Sequence, residues 1–281
     1  MARALPATSL PDGTHVPRLG IGTWHLGEDA TRKSAEIAAV RLGLELGMRL
    51  VDTAEMYGGG RAEEIVGEAL RASRASAIVV SKFFPHHAAR AALRAACDAS
   101  LERLGIEALD LYLYHWRGNV PLAETVDTLR GLVAAGKVHR WGVSNFDTAD
   151  MEELVAVPGG EAVATNQVLY NLARRGPEFD LLPWCRARGI PVMAYSPLDE
   201  GRLARHPALV RLAAGLGCSA AQVALAWLVR QPDVIAIPKA ASPAHTRANR
   251  DAADITLEAR TLAALDRAFP PPQRKVPLEM I

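Results

Sequence analysis

Four side chains that can move a proton stand at or just beyond the ends of apolar, strand-like runs. Lys82 and His115 each close such a run, and Asp52 closes a third. Tyr57 follows Asp52 five residues later, in the next loop. The carboxyl ends of parallel strands meet at one face of an α/β protein, where catalytic groups collect. A carboxylate, a phenol, an ammonium and an imidazole at that face predict an enzyme that delivers a proton to a carbonyl oxygen.

The expected roles of these residues follow from their ordinary acidities. A phenol has a reference pKa near 10, so an unassisted tyrosine is a poor proton donor at neutral pH. Lys82 is the candidate cation that would lower the pKa of Tyr57. Asp52 would supply the counter-charge of Lys82. His115 would donate a hydrogen bond to the substrate carbonyl and stabilise its developing negative charge.

Each of the four residues also has an ordinary structural interpretation. Asp52 would then cap a helix, and Lys82 and His115 would be solvated residues at the rim of the fold. Tyr57 would pack over the glycine turn 58–60. For the four residues taken together, catalysis is the favoured interpretation.

The numbers of positive and negative side chains are nearly equal, which gives no indication of a strongly charged binding partner. The 281 residues include 32 Lys and Arg against 31 Asp and Glu, a formal net charge of +1, so neither nucleic acid nor a membrane surface is an expected partner. No apolar stretch approaches the roughly 20 residues of a membrane span, and no signal peptide is expected. Cys97, Cys185 and Cys218 lack metal-ligand spacing. They are expected to be reduced thiols of a cytoplasmic protein without a metal site.

Strand and helix patterns alternate along the whole chain. The pattern predicts strands at 19–23, 48–52, 77–82, 109–114, 138–143, 162–167, 190–195 and 233–237, and helices at 33–46, 62–72, 87–104, 122–135, 147–155, 178–188, 219–230, 243–250 and 258–268. Eight such units predict an α/β fold of the (β/α)8 TIM-barrel type. A β-hairpin around Asp12-Gly13 precedes the barrel, and a helix with a short tail follows it, so residues 1–281 are expected to form a single domain. The rival Rossmann sheet lacks its G-x-G-x-x-G fingerprint after a strand.

Eight short motifs lie at or just beyond the predicted strand ends. They are Gly20-Ile-Gly-Thr-Trp24, Val51-Asp-Thr-Ala-Glu-Met-Tyr57-Gly, Ser81-Lys82, Leu113-Tyr-His115-Trp116, Gly142-Val-Ser-Asn-Phe146, Asn166-Gln167, Ala194-Tyr-Ser-Pro-Leu198 and Ile237-Pro-Lys239. In this order they resemble the aldo-keto reductase superfamily, and within it the small bacterial-type reductases of aldehydes, methylglyoxal and diketo acids. The resemblance implies an (α/β)8 barrel that uses NADPH without metal or flavin, with Tyr57 as general acid.

The resemblance also implies which residues bind the cofactor. The nicotinamide carboxamide would be held by Ser144, Asn145 and Gln167, and its ring would stack on Tyr195. The full set of implied contacts is Gly22, Thr23, Trp24, Asp52, Ser144, Asn145, Gln167, Tyr195, Ser196, Leu198, Ile237, Lys239, Ser242, His245 and Asn249.

The segment that would meet the 2′-phosphate of NADPH departs from the superfamily pattern. Lys239, Ser242 and Asn249 keep their expected places, whereas His245 stands where the superfamily usually has arginine. A histidine is a weaker, titrating partner for a phosphate. NADPH is therefore the expected cofactor, with NADH as an alternative.

Aromatic side chains near the strand ends predict the substrate pocket. The tail after residue 272 is short, which predicts an open pocket. The expected ligand is a small carbonyl compound, and the protein is expected to be a monomer. The predicted pocket residues are Trp24, Tyr57, Phe83, His115 and Trp116.

Two other functional classes use a barrel fold of this kind. A cofactor-sensing regulatory module of the same fold would keep the cofactor residues and turn over slowly. A barrel isomerase or aldolase would need a Schiff-base lysine or a phosphate-binding glycine-rich loop after the seventh or eighth strand, and neither is evident in the sequence.

Overall fold

A short antiparallel hairpin opens the part of the chain that the computed structural model describes, which comprises residues 4–71 and 74–281. Strand β1 (Ala7–Ser9) pairs with β2 (His15–Pro17). Gly13 in the connecting turn has φ 86°, a left-handed conformation that glycine adopts without steric cost. The Asp12 carboxylate accepts a hydrogen bond from the backbone N–H of Thr14 at 3.0 Å. The hairpin predicted from Asp12-Gly13 is confirmed.

Eight parallel strands follow in one sheet and lie side by side in chain order. Isolated parallel bridges join Leu19 to Ala236 and Gly22 to Lys239, so the first of these strands meets the last and the sheet closes. The predicted (β/α)8 barrel is confirmed. The strands are β3 (Ile21–Gly22), β4 (Leu50–Asp52), β5 (Ile78–Phe83), β6 (Leu111–Tyr114), β7 (Trp141–Ser144), β8 (Asn166–Leu169), β9 (Val192–Tyr195) and β10 (Val234–Ala236).

Helices connect the strands. They are α1 (Lys33–Glu45), α2 (Arg61–Leu70), α3 (Arg90–Leu104), α4 (Leu122–Ala134), α5 (Thr148–Ala156), α6 (Leu181–Arg186), α7 (Pro207–Leu216), α8 (Ala220–Val229), α9 (Pro243–Asp251) and α10 (Ala259–Ala268). Asp147 and Ser219 cap α5 and α8 through side-chain hydrogen bonds, as their sequence positions predict. The predicted end of the second helix at residue 72 lies outside the described residues.

Helix α7 is absent from the sequence prediction although its sequence carries both terminal signals. Pro207 occupies its first turn, and Gly217 follows its last residue in a left-handed conformation. Both are common helix boundary residues. This extra helix lies between β9 and α8, so the seventh β–α unit contains two helices.

Two apolar layers hold the barrel together. Inside it, Leu50, Val80, Leu113 and Met193 belong to one buried cluster, whose other members include Leu10 and Val16 from the hairpin. Outside it, the helices bury a much larger cluster against the strands. Successive side chains of a strand point to opposite faces, and β4, β5, β6, β9 and β10 contribute to both layers.

Phe83 belongs to the outer layer, and its prediction as a substrate-pocket residue is wrong. Its side chain has no exposed surface. The ring stacks on Tyr114 with centroids 5.0 Å apart and contacts Tyr112 at 5.1 Å. Because Lys82 points into the barrel, the next residue of β5 must point outward.

The segment after α10 returns across the carboxyl end of the barrel. The Lys275 ammonium lies 3.0 Å from the Asp180 carboxylate, and Arg174 forms an ion pair with Glu279. Leu278 packs against the outer apolar cluster. These contacts place residues 280 and 281 at the mouth of the barrel.

Within the described ranges, no single helix combines the length and apolar composition of a membrane span. The bent pair formed by α7 and α8, with 86° between its two helices, meets the length and composition criteria when the two are taken together.

Candidate active site

Lys82 is the central residue of a hydrogen-bonded chain at the carboxyl end of the barrel. It is fully buried and lies on the inner face of β5, two residues after Val80. Its Nζ donates hydrogen bonds to Asp52 Oδ2 at 2.8 Å, to the Thr53 carbonyl oxygen at 2.8 Å and to Tyr57 Oη at 3.1 Å. The three donors of the ammonium therefore all have acceptors. The alternative of a solvated Lys82 at the rim is wrong.

Asp52 holds Lys82 from the neighbouring strand β4. Its side chain is almost completely buried, and its Oδ1 accepts a second hydrogen bond from Gln167 Nε2 at 2.8 Å. Thr23 Oγ1 donates to the backbone carbonyl of Asp52 at 2.9 Å. The next helix, α2, has Gly60 at its N-cap. Asp52 is therefore not a helix cap, and its carboxylate is the counter-charge of Lys82.

Tyr57 reaches this pair from the loop after β4. Three glycines follow it, and Gly58, Gly59 and Gly60 have φ angles of 58°, 65° and 91°. Successive left-handed residues turn the chain sharply, which is a conformation that glycine tolerates best. The turn places the phenol oxygen within hydrogen-bond distance of Lys82.

His115 lies beside Tyr57 at the end of β6. Its ring centroid is 5.9 Å from that of Tyr57, in an edge-to-face arrangement. The residue is 8% exposed, and among the described residues its buried Nδ1 has no hydrogen-bond partner. Burial, with a smaller contribution from the charge of Lys82, lowers the pKa of His115 to about 2. The imidazole is thus neutral at physiological pH and keeps one N–H donor.

Burial and charge oppose each other in the chain of Asp52, Lys82 and Tyr57. Burial alone would lower the pKa of the Lys82 ammonium, but its attraction to Asp52 and Tyr57 raises the pKa. Burial raises the pKa of Asp52, and Lys82 and Gln167 limit that rise. Burial likewise raises the pKa of Tyr57 above its ordinary value, against the opposing charge of Lys82. The sequence prediction that the pKa of Tyr57 is lowered is therefore wrong, because desolvation of the phenol outweighs the charge of the ammonium.

A cavity of about 280 Å³ opens beside these residues. Most of the residues predicted for the cofactor and the substrate line it. They are Gly22, Thr23, Trp24, Asp52, Tyr57, His115, Trp116, Ser144, Asn145, Gln167, Tyr195, Ser196, Ile237 and Lys239.

Four predicted cofactor residues lie outside this cavity. Leu198 is half-buried and packs against the outer apolar cluster. Ser242 caps α9 by accepting a hydrogen bond from the His245 N–H at 3.4 Å. His245 is exposed on that helix, and Asn249 is buried near its end. Their contact with a cofactor stays a prediction.

Comparisons with known proteins agree with this geometry. Residues 18–269 match the family model described as the aldo/keto reductase family. The chain belongs to the aldo/keto reductase family. The predicted resemblance to that superfamily is confirmed.

Two relatives of this aldo/keto reductase are similar over nearly their whole length. This chain is 49% identical over 271 residues to methylglyoxal reductase YeaE of Escherichia coli strain K12, and the alignment covers 95% of each protein. It is also 49% identical to an aldo/keto reductase from Klebsiella pneumoniae crystallised with NADP and acetate, with a TM-score of 0.96 over 99% of this chain and 100% of that chain. A second structure from that organism, in complex with NADPH, gives the same identity, TM-score and coverage.

Four residues of this aldo/keto reductase line the cavity without having been predicted. Met56 and Pro197 are next to the predicted Tyr57 and Ser196 in the sequence, and this proximity could have identified them as cavity residues. Met280 and Ile281 reach the cavity only because the tail folds back over it, and no local pattern indicates that path. The tail, although short, therefore forms part of the pocket wall.

Proposed function

We propose that this aldo/keto reductase reduces small aldehydes and ketones to alcohols with NADPH, with Tyr57 as the proton donor. One observation carries the proposal. The Tyr57 phenol is hydrogen-bonded to the buried Lys82 ammonium, which is itself paired with Asp52, and a neutral His115 lies beside the phenol on the wall of a cavity.

The proposed roles follow from this arrangement. The phenol is protonated at neutral pH because the pKa of a tyrosine is near 10 even before burial raises it, so Tyr57 holds the proton that the carbonyl oxygen needs. Lys82 stabilises the phenolate left behind, and Asp52 keeps Lys82 charged. His115 donates its N–H to the carbonyl oxygen, which orients the substrate and stabilises the negative charge that develops there. In the reverse direction the phenolate takes the proton of the alcohol.

The residues around the cavity fit a nicotinamide cofactor. Tyr195 offers an aromatic face at one wall, and its Oη donates to Asn145 Oδ1 at 3.0 Å. Asn145 has φ 59°, an uncommon conformation for a non-glycine residue, and its Nδ2 donates to the His115 carbonyl oxygen at 3.1 Å. When bound, the reduced cofactor supplies the hydride. Ser144, Asn145 and Gln167 would hold its carboxamide, and Lys239 would supply a positive charge for its phosphates.

The cavity favours small neutral substrates of low polarity. Trp24 and Trp116 line it together with Met56, Met280 and Ile281, so much of the wall is apolar. The relationship to the methylglyoxal reductase YeaE supports a small aldehyde of this kind. We propose α-oxoaldehydes as the first substrates to test.

The loss of NADPH absorbance with a panel of aldehydes tests the proposal. Turnover with methylglyoxal and short aldehydes is the expected result. Binding of NADPH without turnover for any aldehyde or ketone of the panel would instead favour a cofactor-sensing module of the same fold. The complete proton-delivery chain around Tyr57 favours the enzyme.

We further propose that residues 1–281 act as one domain and that the protein is a cytoplasmic monomer. The barrel itself supports the first point, because its strands bury both apolar clusters, one of which includes Leu10 and Val16 of the hairpin and the other of which packs against Leu278 of the tail. Sedimentation of the purified protein at several concentrations tests the monomer, and a rise in apparent mass with concentration would contradict it.

A further inference from the structure

A buried polar network lies directly behind the contact between Lys82 and Tyr57. Its centre is the Glu63 carboxylate on α2, whose side chain has no exposed surface. Glu63 Oε1 accepts a hydrogen bond from Ser81 Oγ at 2.6 Å, and Oε2 accepts one from Arg103 Nε at 2.6 Å. One carboxylate therefore joins α2, β5 and α3.

Two residues of this network, Ser81 and Glu63, lie close in the chain to Lys82 and Tyr57. Ser81 directly precedes Lys82 in β5 and points to the opposite face of the strand. Glu63 lies in the first turn of α2, immediately after the turn formed by Gly58, Gly59 and Gly60. Tyr57 is thus linked to Glu63 through the three glycines, Arg61 and Ala62, and the glycines have more conformational freedom than other residues.

Arg103 closes the network over the same turn. A Cβ atom at Gly60 would lie 2.7 Å from Arg103 Cδ and 2.9 Å from its Nε, so the arginine packs directly on the glycine backbone. Its Nη2 also donates to Ser100 Oγ at 3.2 Å. The side chain is about one quarter exposed, whereas its partner Glu63 is completely buried.

The chemistry of the network indicates a geometric role. Hydrogen bonds between charged groups are short, directional and about twice as strong as neutral ones. Buried ion pairs contribute little net stability compared with apolar residues of the same volume, but removing one partner leaves a buried charge without compensation. The ion pair of Glu63 and Arg103 therefore favours one arrangement of α2 and α3 relative to each other.

We propose that Glu63 and Arg103 are positioning residues that keep Tyr57 Oη at 3.1 Å from Lys82 Nζ. They do so by tying the glycine turn to the strand that carries Lys82. The inference rests on the proposed function, because it assigns the network to proton transfer by Tyr57. Loosening the network lets the phenol move away from the ammonium, while Lys82 keeps its contacts with Asp52 and Thr53.

Arg103→Met tests the proposal, since it removes the guanidinium and keeps an apolar stem over Gly60. The kcat for aldehyde reduction should fall by about 10-fold to 10²-fold. The upper value is the typical cost of misplacing a catalytic group by about 1 Å. The Kd for NADPH, measured by fluorescence in the absence of substrate, should change less than about 2-fold. Arg103→Lys, which restores a cation, should recover part of the kcat.

Arg90→Met is the matched control. Arg90 lies on the same helix and forms an ion pair with Asp127 at 2.8 Å, but both side chains are more than half exposed. This variant should keep wild-type kcat and NADPH affinity. The pH profile adds a second readout, because a phenol farther from Lys82 ionises at higher pH. The pH at which kcat declines on the alkaline side should be higher in Arg103→Met than in the wild type and unchanged in Arg90→Met.

Ser81→Ala decides the question if Arg103→Met does not fold. It removes only one hydroxyl from Glu63, and it should lower kcat in the same direction while the NADPH Kd stays constant. A folded Arg103→Met or Ser81→Ala with wild-type kcat and pH profile overturns the positioning role alone. Absence of carbonyl reduction by the wild-type protein overturns the proposed function, and the positioning role with it.

Discussion

Lys82 contacts Tyr57 in two ways. Its Nζ lies 3.1 Å from the phenol oxygen and 4.7 Å from the centroid of the same ring. An ammonium so placed stabilises the phenolate, and it also draws the ring toward itself through the negative face of the π system. The protonation of Tyr57 therefore depends on the charge of Lys82.

Tyr57→Phe removes the proposed proton donor and keeps the ring. NADPH binding should be nearly unchanged, whereas carbonyl reduction should fall by at least about 10²-fold, as is typical when a general acid is lost. Single-turnover reduction and NADPH fluorescence titration measure the two quantities separately. A variant that retains wild-type kcat would remove Tyr57 from the mechanism.

Lys82→Met should raise the pKa of Tyr57 further, because the nearby cation that limits the rise is lost. Reduction needs the protonated phenol and should persist at neutral pH at a reduced rate. Alcohol oxidation needs the phenolate, so it should suffer more and should recover only as the pH increases. The measurement is kcat in both directions as a function of pH.

Asp52→Asn should have a milder effect than Lys82→Met. The Lys82 ammonium keeps its hydrogen bonds to the Thr53 carbonyl and to Tyr57, although it loses the attraction that raises its pKa. The oxidation profile should therefore lie between those of wild type and Lys82→Met. If both variants reproduce the wild-type pH profile, the proposed electrostatic chain is incorrect.

Cofactor choice should depend on His245. A histidine N–H beside the 2′-phosphate of NADPH would donate a hydrogen bond for which NADH offers no acceptor. His245→Ala should therefore raise the Kd for NADPH and leave the Kd for NADH unchanged, as measured by fluorescence titration. An identical NADPH/NADH affinity ratio in wild type and His245→Ala would show that His245 is only a surface residue of α9.

The returning tail should control substrate affinity. Met280 lines the cavity, and removing its apolar side chain by Met280→Ala should raise KM for small aldehydes by about 3- to 10-fold, equivalent to roughly 1 kcal/mol of lost apolar burial. The Kd for NADPH and the melting temperature should be little changed. Val210→Ala is a suitable control, since Val210 is an exposed apolar residue outside the cavity. Equal KM values for wild type and Met280→Ala would mean that the tail does not contact bound substrate.

The order of the strands and the meeting of Asp52, Tyr57, Lys82 and His115 at one site were predictable from the sequence. Strand and helix periodicities are local, so they are readable in short windows, and parallel strands in chain order carry their carboxyl ends to one face. For this reason Asp52, Lys82 and His115 could be placed at a common site before the fold was known. Even helix α7, which the prediction omitted, carries its boundary signals in Pro207 and Gly217.

Only the tertiary structure decided the features that depend on closure of the barrel. The burial of Tyr57, which reverses the expected direction of its pKa shift, arises from packing by distant segments. The tail reaches the cavity through the pairing of Glu279 with Arg174, 105 residues earlier in the chain. Glu63 and Arg103 are joined across 40 residues. A charged residue in a sequence does not reveal its partner, because any of many distant residues of opposite charge could serve until the fold brings one of them within contact distance.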